Sequence, residues 1–202
     1  MKKVTFRNRL RGFVPVVVDV ETGGVNPQTD ALLEIAAVMI KIDEEGTFSR
    51  GDTIACHVAP FEGGILNPKA LEINHIDPYH PFRLAKSEAQ ALEIILGPIS
   101  AAIKEYGCHR AVLVGHNAWF DLAFMKAAIE RVGLKNHPFH HFTSLDTATL
   151  SALAYGETVL SKALAKAGFE FNPDEAHSAI YDAEKTADLF CTIFNRWRDY
   201  SL

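Results

Sequence analysis

The sequence predicts an α/β protein built on a mixed sheet, antiparallel in its first half and parallel afterwards, with helices flanking it. Three observations carry that prediction. A valine-rich run, Val14–Val20, reads as a strand buried on both faces. Two more strand-like segments follow with only turns between them, which makes an antiparallel meander. Beyond residue 87, strand-like and helical patterns alternate, as they do when strands are joined by crossover helices.

Taken in order, Gly23-Gly24 breaks the first strand, and Leu32–Ile42 resumes as the second. Asp43-Glu44-Glu45-Gly46 is a turn, and Thr53–Val58 is the third strand. Asn67-Pro68 opens a short helix, with proline in its first turn. Ser87 caps an amphipathic helix running to about Tyr106, with Leu92, Ile95, Leu96, Ile99 and Ile103 on one face. Gly97-Pro98 is expected to kink or interrupt it. Ala111–Gly115 is a short strand, and Asn117 caps a helix reaching about Arg131. Thr143–Thr147 reads either as a last strand or as the lead-in to a helix near Ala148–Tyr155. A helix over Leu160–Ala167 ends at Gly168, and Ser178–Arg198 closes the chain. No repeat or Pro/Gly/Ser linker divides it, so residues 1–202 are expected to form one domain.

With 48% hydrophobic and 22% charged residues, the composition is that of an ordinary globular domain. Apolar runs such as Val16–Val18 and Ile35–Ile40 are too short to span a bilayer. Lys2 and Lys3 precede Arg7, Arg9 and Arg11, which interrupt any signal-peptide core, so an intracellular, cytoplasmic protein is expected. Cys56, Cys108 and Cys191 are widely spaced, form no C-x-x-C pair and read as free thiols rather than zinc ligands. The net charge of −5 argues against a uniformly basic nucleic-acid binder. A local patch would have to attract a phosphate backbone, and residues 1–11 carry five basic residues and no acid. No G-x-x-x-x-G-K-[ST] loop is present, which disfavours an ATPase. His137, His140 and His141 in NHPFHHF lack acid or cysteine partners and read as a loop packed against Phe139 and Phe142.

Four carboxylates and a histidine in three distant segments are the candidate site. Asp19 and Glu21 stand at the end of VVVDVETGG, two apart and so on one face of a strand. Asp121 lies one turn after Asn117, among Trp119, Phe120, Leu122 and Phe124, where a carboxylate needs a partner. His177 precedes Ser178, a candidate cap, and Asp182 falls in the first turns of the last helix. Such a cluster of negative charge is costly unless cations neutralise it, so the pattern asks for divalent metals.

D-x-E-T in the first strand, H-N-x-x-x-D at a helix start and H-x-A-x-x-D near the C-terminus resemble the DEDDh family of 3′→5′ exonucleases. The resemblance implies a ribonuclease H-like mixed five-stranded sheet. It also implies two Mg²⁺ or Mn²⁺ ions, with Asp19, Glu21 and Asp182 on one and Asp19 and Asp121 on the second. His177 would be the general base, and the product a nucleoside 5′-monophosphate. The terminal nucleotide would rest on Glu21, Thr22 and Gly23, with Asn117 nearby and Phe120 stacking on its base.

From about Arg9 to Trp197, RLRGFVPVVVDVETGG, TDALLEIAAV, NHPFH, TVLSKA and NRW resemble one branch of that family, the ribonuclease T group. That group trims single-stranded 3′ ends of transfer RNA and other stable RNAs, and its site tolerates single-stranded DNA. Proofreading subunits of DNA polymerase share the catalytic motifs, so a DNA-directed exonuclease is the alternative within the class; a catalytically silent binding module is the alternative outside it. In the ribonuclease T group, basic residues matching Arg9, Arg11, Lys104, Arg110 and Lys135 grip the substrate for the partner subunit of a homodimer. The chain departs from the group at Val25, Ile73 and Leu145, where phenylalanines are usual, and at Lys69, where glutamate is usual. Weaker stacking and a flatter terminal-base preference are therefore expected, with catalysis intact.

Overall fold

A computed structural model describes residues 4–197 of the chain. A four-residue helix, α1 (Phe6–Arg9), leads into β1 (Phe13–Thr22). Then come β2 (Leu32–Ile42), β3 (Phe48–His57), α2 (Pro68–Asn74), α3 (Glu88–Glu105), β4 (Arg110–Gly115), α4 (Trp119–Val132), β5 (Phe139–Asp146), α5 (Thr147–Tyr155), α6 (Leu160–Ala167) and α7 (Ala179–Arg196). The five strands form one sheet in the order β3-β2-β1-β4-β5. Pairing is antiparallel across β1–β2 and β2–β3, and parallel across β1–β4 and β4–β5. That is the predicted mixed sheet.

The sheet is covered on both faces, which explains why its central strands do not alternate. Every residue from Leu32 to Val38 is buried, as are Val14, Val16, Val17 and Val18. Helices α3 and α4 pack on each other and on the sheet, while α7 runs along β1, β2 and β3 and carries α5 and α6. Phe48, Phe190 and Phe194 stack between β3 and α7, the Phe48 and Phe194 rings 5.6 Å apart and 15° from parallel. Burying each such side chain contributes about 1.5–3 kcal/mol. Cys56, Cys108 and Cys191 are free thiols, and burial pushes Cys191 up to about 12. Among the described residues no helix is long and apolar enough to cross a membrane.

Several boundaries differ from expectation for physical reasons. β3 starts at Phe48 rather than Thr53, because buried Phe48 and the ion pairs of Arg50 with Glu184 and Asp188 hold the polar stretch on the sheet. Helix α3 is not interrupted at Gly97-Pro98, which lie on its exposed face; water can there satisfy the carbonyl freed by proline, while Leu92, Ile95, Leu96 and Ile99 stay packed. Asn117 is not the cap of α4. It takes a left-handed conformation (φ 65°), its N–H donates to Asp146 Oδ1 at 3.1 Å, and Ala118 precedes the first helical residue. Thr143–Thr147 splits: β5 ends at Asp146, whose side chain caps α5 by accepting from Ala148 N–H. Lys2, Lys3 and the expected helix end at Arg198 lie outside the described residues.

Candidate active site

The site assembles at the C-terminal end of β1. Parallel pairing with β4 stops at Val17 opposite Val114, so the Val20 amide has no strand partner on that side. Asp121, in the first turn of α4, accepts that N–H at 3.1 Å and is thereby pinned, buried, against β1. Gly115 makes room for it: a Cβ there would stand 3.0 Å from Asp121 Oδ2. Asp19 and Glu21 leave β1 on one face, paired in register with Ala36 and Glu34 of β2.

The third arm comes from α7. His177 is left-handed (φ 63°), and its backbone N–H donates to Asp182 Oδ2 at 2.9 Å, so the loop bearing the imidazole is tied to the carboxylate one turn on. Ser178 occupies the N-cap without a side-chain bond; its carbonyl accepts from Asp182 N–H. One ligand atom each from Glu21, His177 and Asp182 lies within 4.8 Å of the others. All five predicted residues line one cleft of about 510 Å³, together with His116, Asn117, Trp119 and Phe120. That is room enough for a nucleotide.

Burial, then the charges of Asp121, Glu21, Asp182 and Glu34, hold Asp19 well above the usual carboxylate range. Burial and the charges of Asp182 and Glu34 lift Glu21 to about 8, against a hydrogen bond with Asn74 that favours its charged form. Asp121 is raised by burial to about 7, and Asp182 is raised by burial as well. Asp182 Oδ1 is buried with no hydrogen-bond partner. Carboxylates forced together, with one oxygen left without a donor, are a donor set for hard divalent cations, and the residues present fit such ions.

Other predicted residues fall elsewhere. Thr22 is buried and its hydroxyl donates to Gly24 O at 2.6 Å. Gly23 is also buried, its N–H donating to Ala31 O and its carbonyl accepting from Asn67 N–H. Its lack of a side chain answers to the chain's own packing, because a Cβ would meet Ile65 O at 2.5 Å. Arg9 donates to Gly46 O and Phe194 O and lies 4.7 Å from the Phe48 ring centre. Arg110 donates to the carbonyls of His137 and Phe139, whereas Arg11, Lys104 and Lys135 are exposed. Phe13 pairs with Arg110 at the far end of β1, about 20 Å along the strand from Asp19 at about 3.3 Å per residue. Phe139 is buried and the His140 ring packs edge-on to Phe142 at 4.6 Å, as expected, but His140 and His141 lie in β5 rather than in a loop, and Phe142 is 79% exposed.

Sequence reasoning missed Glu34, a buried acid facing Glu21; only its position directly opposite Glu21 in the register reveals it. Asn74, whose Nδ2 donates to Thr22 O, and His116, held by Thr147 Oγ1 and Thr158 O, were also missed. The H-N before Asp121 was the available signal for His116.

A strand end carrying two acids, a helix carrying a third, and a histidine-acid arm on the last helix meet in one cleft, and the chain that carries them is an exonuclease. The RNase T exonuclease profile matches residues 16–190. Ribonuclease T of Marinobacter nauticus is 58% identical over 191 residues, which is 95% of this chain and 86% of that protein. Ribonuclease T of Citrobacter koseri is 56% identical over 95% of this chain and 89% of its own length. The chain belongs to the ribonuclease T family, whose members are 3′→5′ exoribonucleases.

Solved structures agree on the fold. A full-length 3′-exonuclease superposes with a TM-score of 0.69 at 16% identity, covering 93% of this chain and 83% of that one. Exonuclease I of E. coli, bound to a dT13 oligonucleotide, gives 0.64 at 17% identity over 93% of this chain; the chain spans 42% of that enzyme's length.

Proposed function

We propose that this chain, as a single exonuclease domain over residues 1–202, is a metal-dependent 3′→5′ exoribonuclease of the cytoplasm. It trims single-stranded 3′ ends of transfer RNA and other stable RNAs, and single-stranded DNA as well, releasing nucleoside 5′-monophosphates. The observation that carries this is the convergence of Asp19, Glu21, Asp121, His177 and Asp182 on one cleft, with Asp182 Oδ1 unpartnered. Asp19, Glu21, Asp121 and Asp182 are the residues to hold divalent cations, Mg²⁺ with Mn²⁺ able to replace it; when bound, these stabilise charge on the attacking and departing oxygens. His177 takes the proton of the attacking water. Asp182, through its bond to the His177 amide, sets where that imidazole stands. Phe120 offers a face to the terminal base, beside Asn117 at the cleft wall. Thr22 and Gly23 support the terminal nucleotide by shaping the turn after Glu21, since their polar groups are engaged internally. The relatives do not favour a proofreading enzyme, and an intact acid set speaks against a silent binding module.

Arg9, Arg11, Lys104, Arg110 and Lys135 form the backbone grip, serving the partner subunit of a homodimer. Their support is distance: Arg110, opposite Phe13 and so about 20 Å along β1 from Asp19, is far from its own site but can face a two-fold partner's. Mg²⁺-dependent release of mononucleotides should be measured on a 3′-overhang RNA, its DNA equivalent and a blunt duplex, with Asp182→Ala as control. Trimming of the overhangs that vanishes in the control is expected. Tight binding without release by the unsubstituted protein would overturn the enzyme reading, and a fully active monomer would overturn the cross-subunit grip.

A further inference from the structure

Trp119 has no structural task that explains its position. It opens α4 between Ala118, which is fully buried, and Phe120, which is half-buried, yet its own indole is 66% exposed. It lines the same cleft as Asp121, two residues away. The indole stands at 90° to the Phe120 ring with centroids 5.8 Å apart, and Phe120 is backed in turn by fully buried Phe124 at 4.9 Å. An aromatic ring held by its neighbours and left open to the cleft is a stacking surface for a base, since every base has a π-face. Val25 and Ile73, both exposed aliphatic residues, offer no such face.

We infer that Trp119 is a second base platform, holding the penultimate nucleotide of a single-stranded 3′ end while Phe120 holds the last; this rests on the exonuclease reading above. Two rings at right angles cannot both stack on one flat base, so they serve two nucleotides, and the strand turns between them. The order follows from depth. Phe120 is half-buried beside Asp121, whereas Trp119 projects outward, where the chain leaving the cleft must pass. A base that is paired and stacked in a duplex cannot make that turn. The corner therefore demands two unpaired 3′ nucleotides, without reading their identity.

The chain's two tryptophans allow a direct test. In a Trp197→Phe protein, Trp119 is the sole indole, and its fluorescence is followed as an oligoadenylate with a phosphorothioate last linkage is added in Mg²⁺. Quenching is expected with the intact oligonucleotide and with one abasic at the terminal position, and is lost when the penultimate position is abasic. Trp119→Ala should weaken binding of the intact oligonucleotide by about 5- to 150-fold, Trp119→Phe much less, and neither should change binding of the penultimate-abasic one. Equal quenching by the penultimate-abasic oligonucleotide would overturn the assignment, as would quenching on raising protein concentration alone, which would place Trp119 in a contact between copies. Mononucleotide release by the unsubstituted protein is scored separately. Its absence would remove the nuclease reading while leaving the quenching result to stand by itself.

Discussion

Replacing Glu21 with glutamine should stabilise the cation-free protein at alkaline pH while abolishing cleavage. In the folded protein, burial and the charges of Asp182 and Glu34 hold Glu21 at about 8, against 4.5 for an unconstrained glutamate. Between those values the folded state keeps a proton that the unfolded chain has released. Stability therefore falls as pH rises through that window, and is greatest below it. From pH 5 to pH 8 the loss attributable to this group is about 3 kcal/mol, worth about 6–12 °C in Tm for a chain of this size. Thermal unfolding in chelator at the two pH values, with and without added Mg²⁺, reads this directly. The unsubstituted protein should lose stability toward pH 8 and regain it with Mg²⁺. Glu21→Gln should lose less in chelator and regain less with the ion. Identical pH dependence in the two proteins, or equal stabilisation of both by Mg²⁺, would refute the view that burial and mutual repulsion of these acids are relieved by divalent cations.

Arg9→Ala should cost about 2–3 kcal/mol in urea unfolding, because it strips two carbonyls of their donor and uncovers the Phe48 ring. Arg11→Ala, at an exposed position, should leave stability unchanged and reduce the salt slope of substrate binding by about one. Gly24→Ala should disturb the turn after Glu21, since its Cβ would fall 2.0 Å from Asp30 Oδ2; a loss of about 1–3 kcal/mol in stability, with a fall in kcat, is expected. A panel of 3′-terminal bases should show nearly equal cleavage rates. Strong discrimination against terminal cytosine would contradict the expectation that aliphatic Val25, Ile73 and Leu145 stack weakly on a terminal base.

Local patterns announced β1, β2, α6 and the three acid-bearing motifs that meet at the cleft, because strand runs, caps and acid spacings are set by neighbours in sequence. What escaped prediction depends on contacts across the chain. Asn117 looked like a cap, but Asp146, some thirty positions on, draws its amide and turns it left-handed. Glu34 reads in sequence as one polar residue in an apolar strand; its place opposite Glu21 exists only once β1 and β2 are in register. Thr22 and Gly23 suggested a surface for a ligand, yet the folded chain uses their polar groups in building its own turn. The basic residues were visible as charges, but not that Arg9 and Arg110 are anchored to carbonyls while Arg11, Lys104 and Lys135 are exposed.

The two oxygens of Asp182 have divided labour: one grips the His177 amide, the other is left without a donor among the acids. A substitution that removes the carboxylate therefore also lets go of the loop carrying the imidazole. Asp182→Asn retains an oxygen for the amide, whereas Asp182→Ala retains none, so the two variants would disable the protein by different routes. The difference between them would report how much of the enzyme's competence is geometry rather than charge.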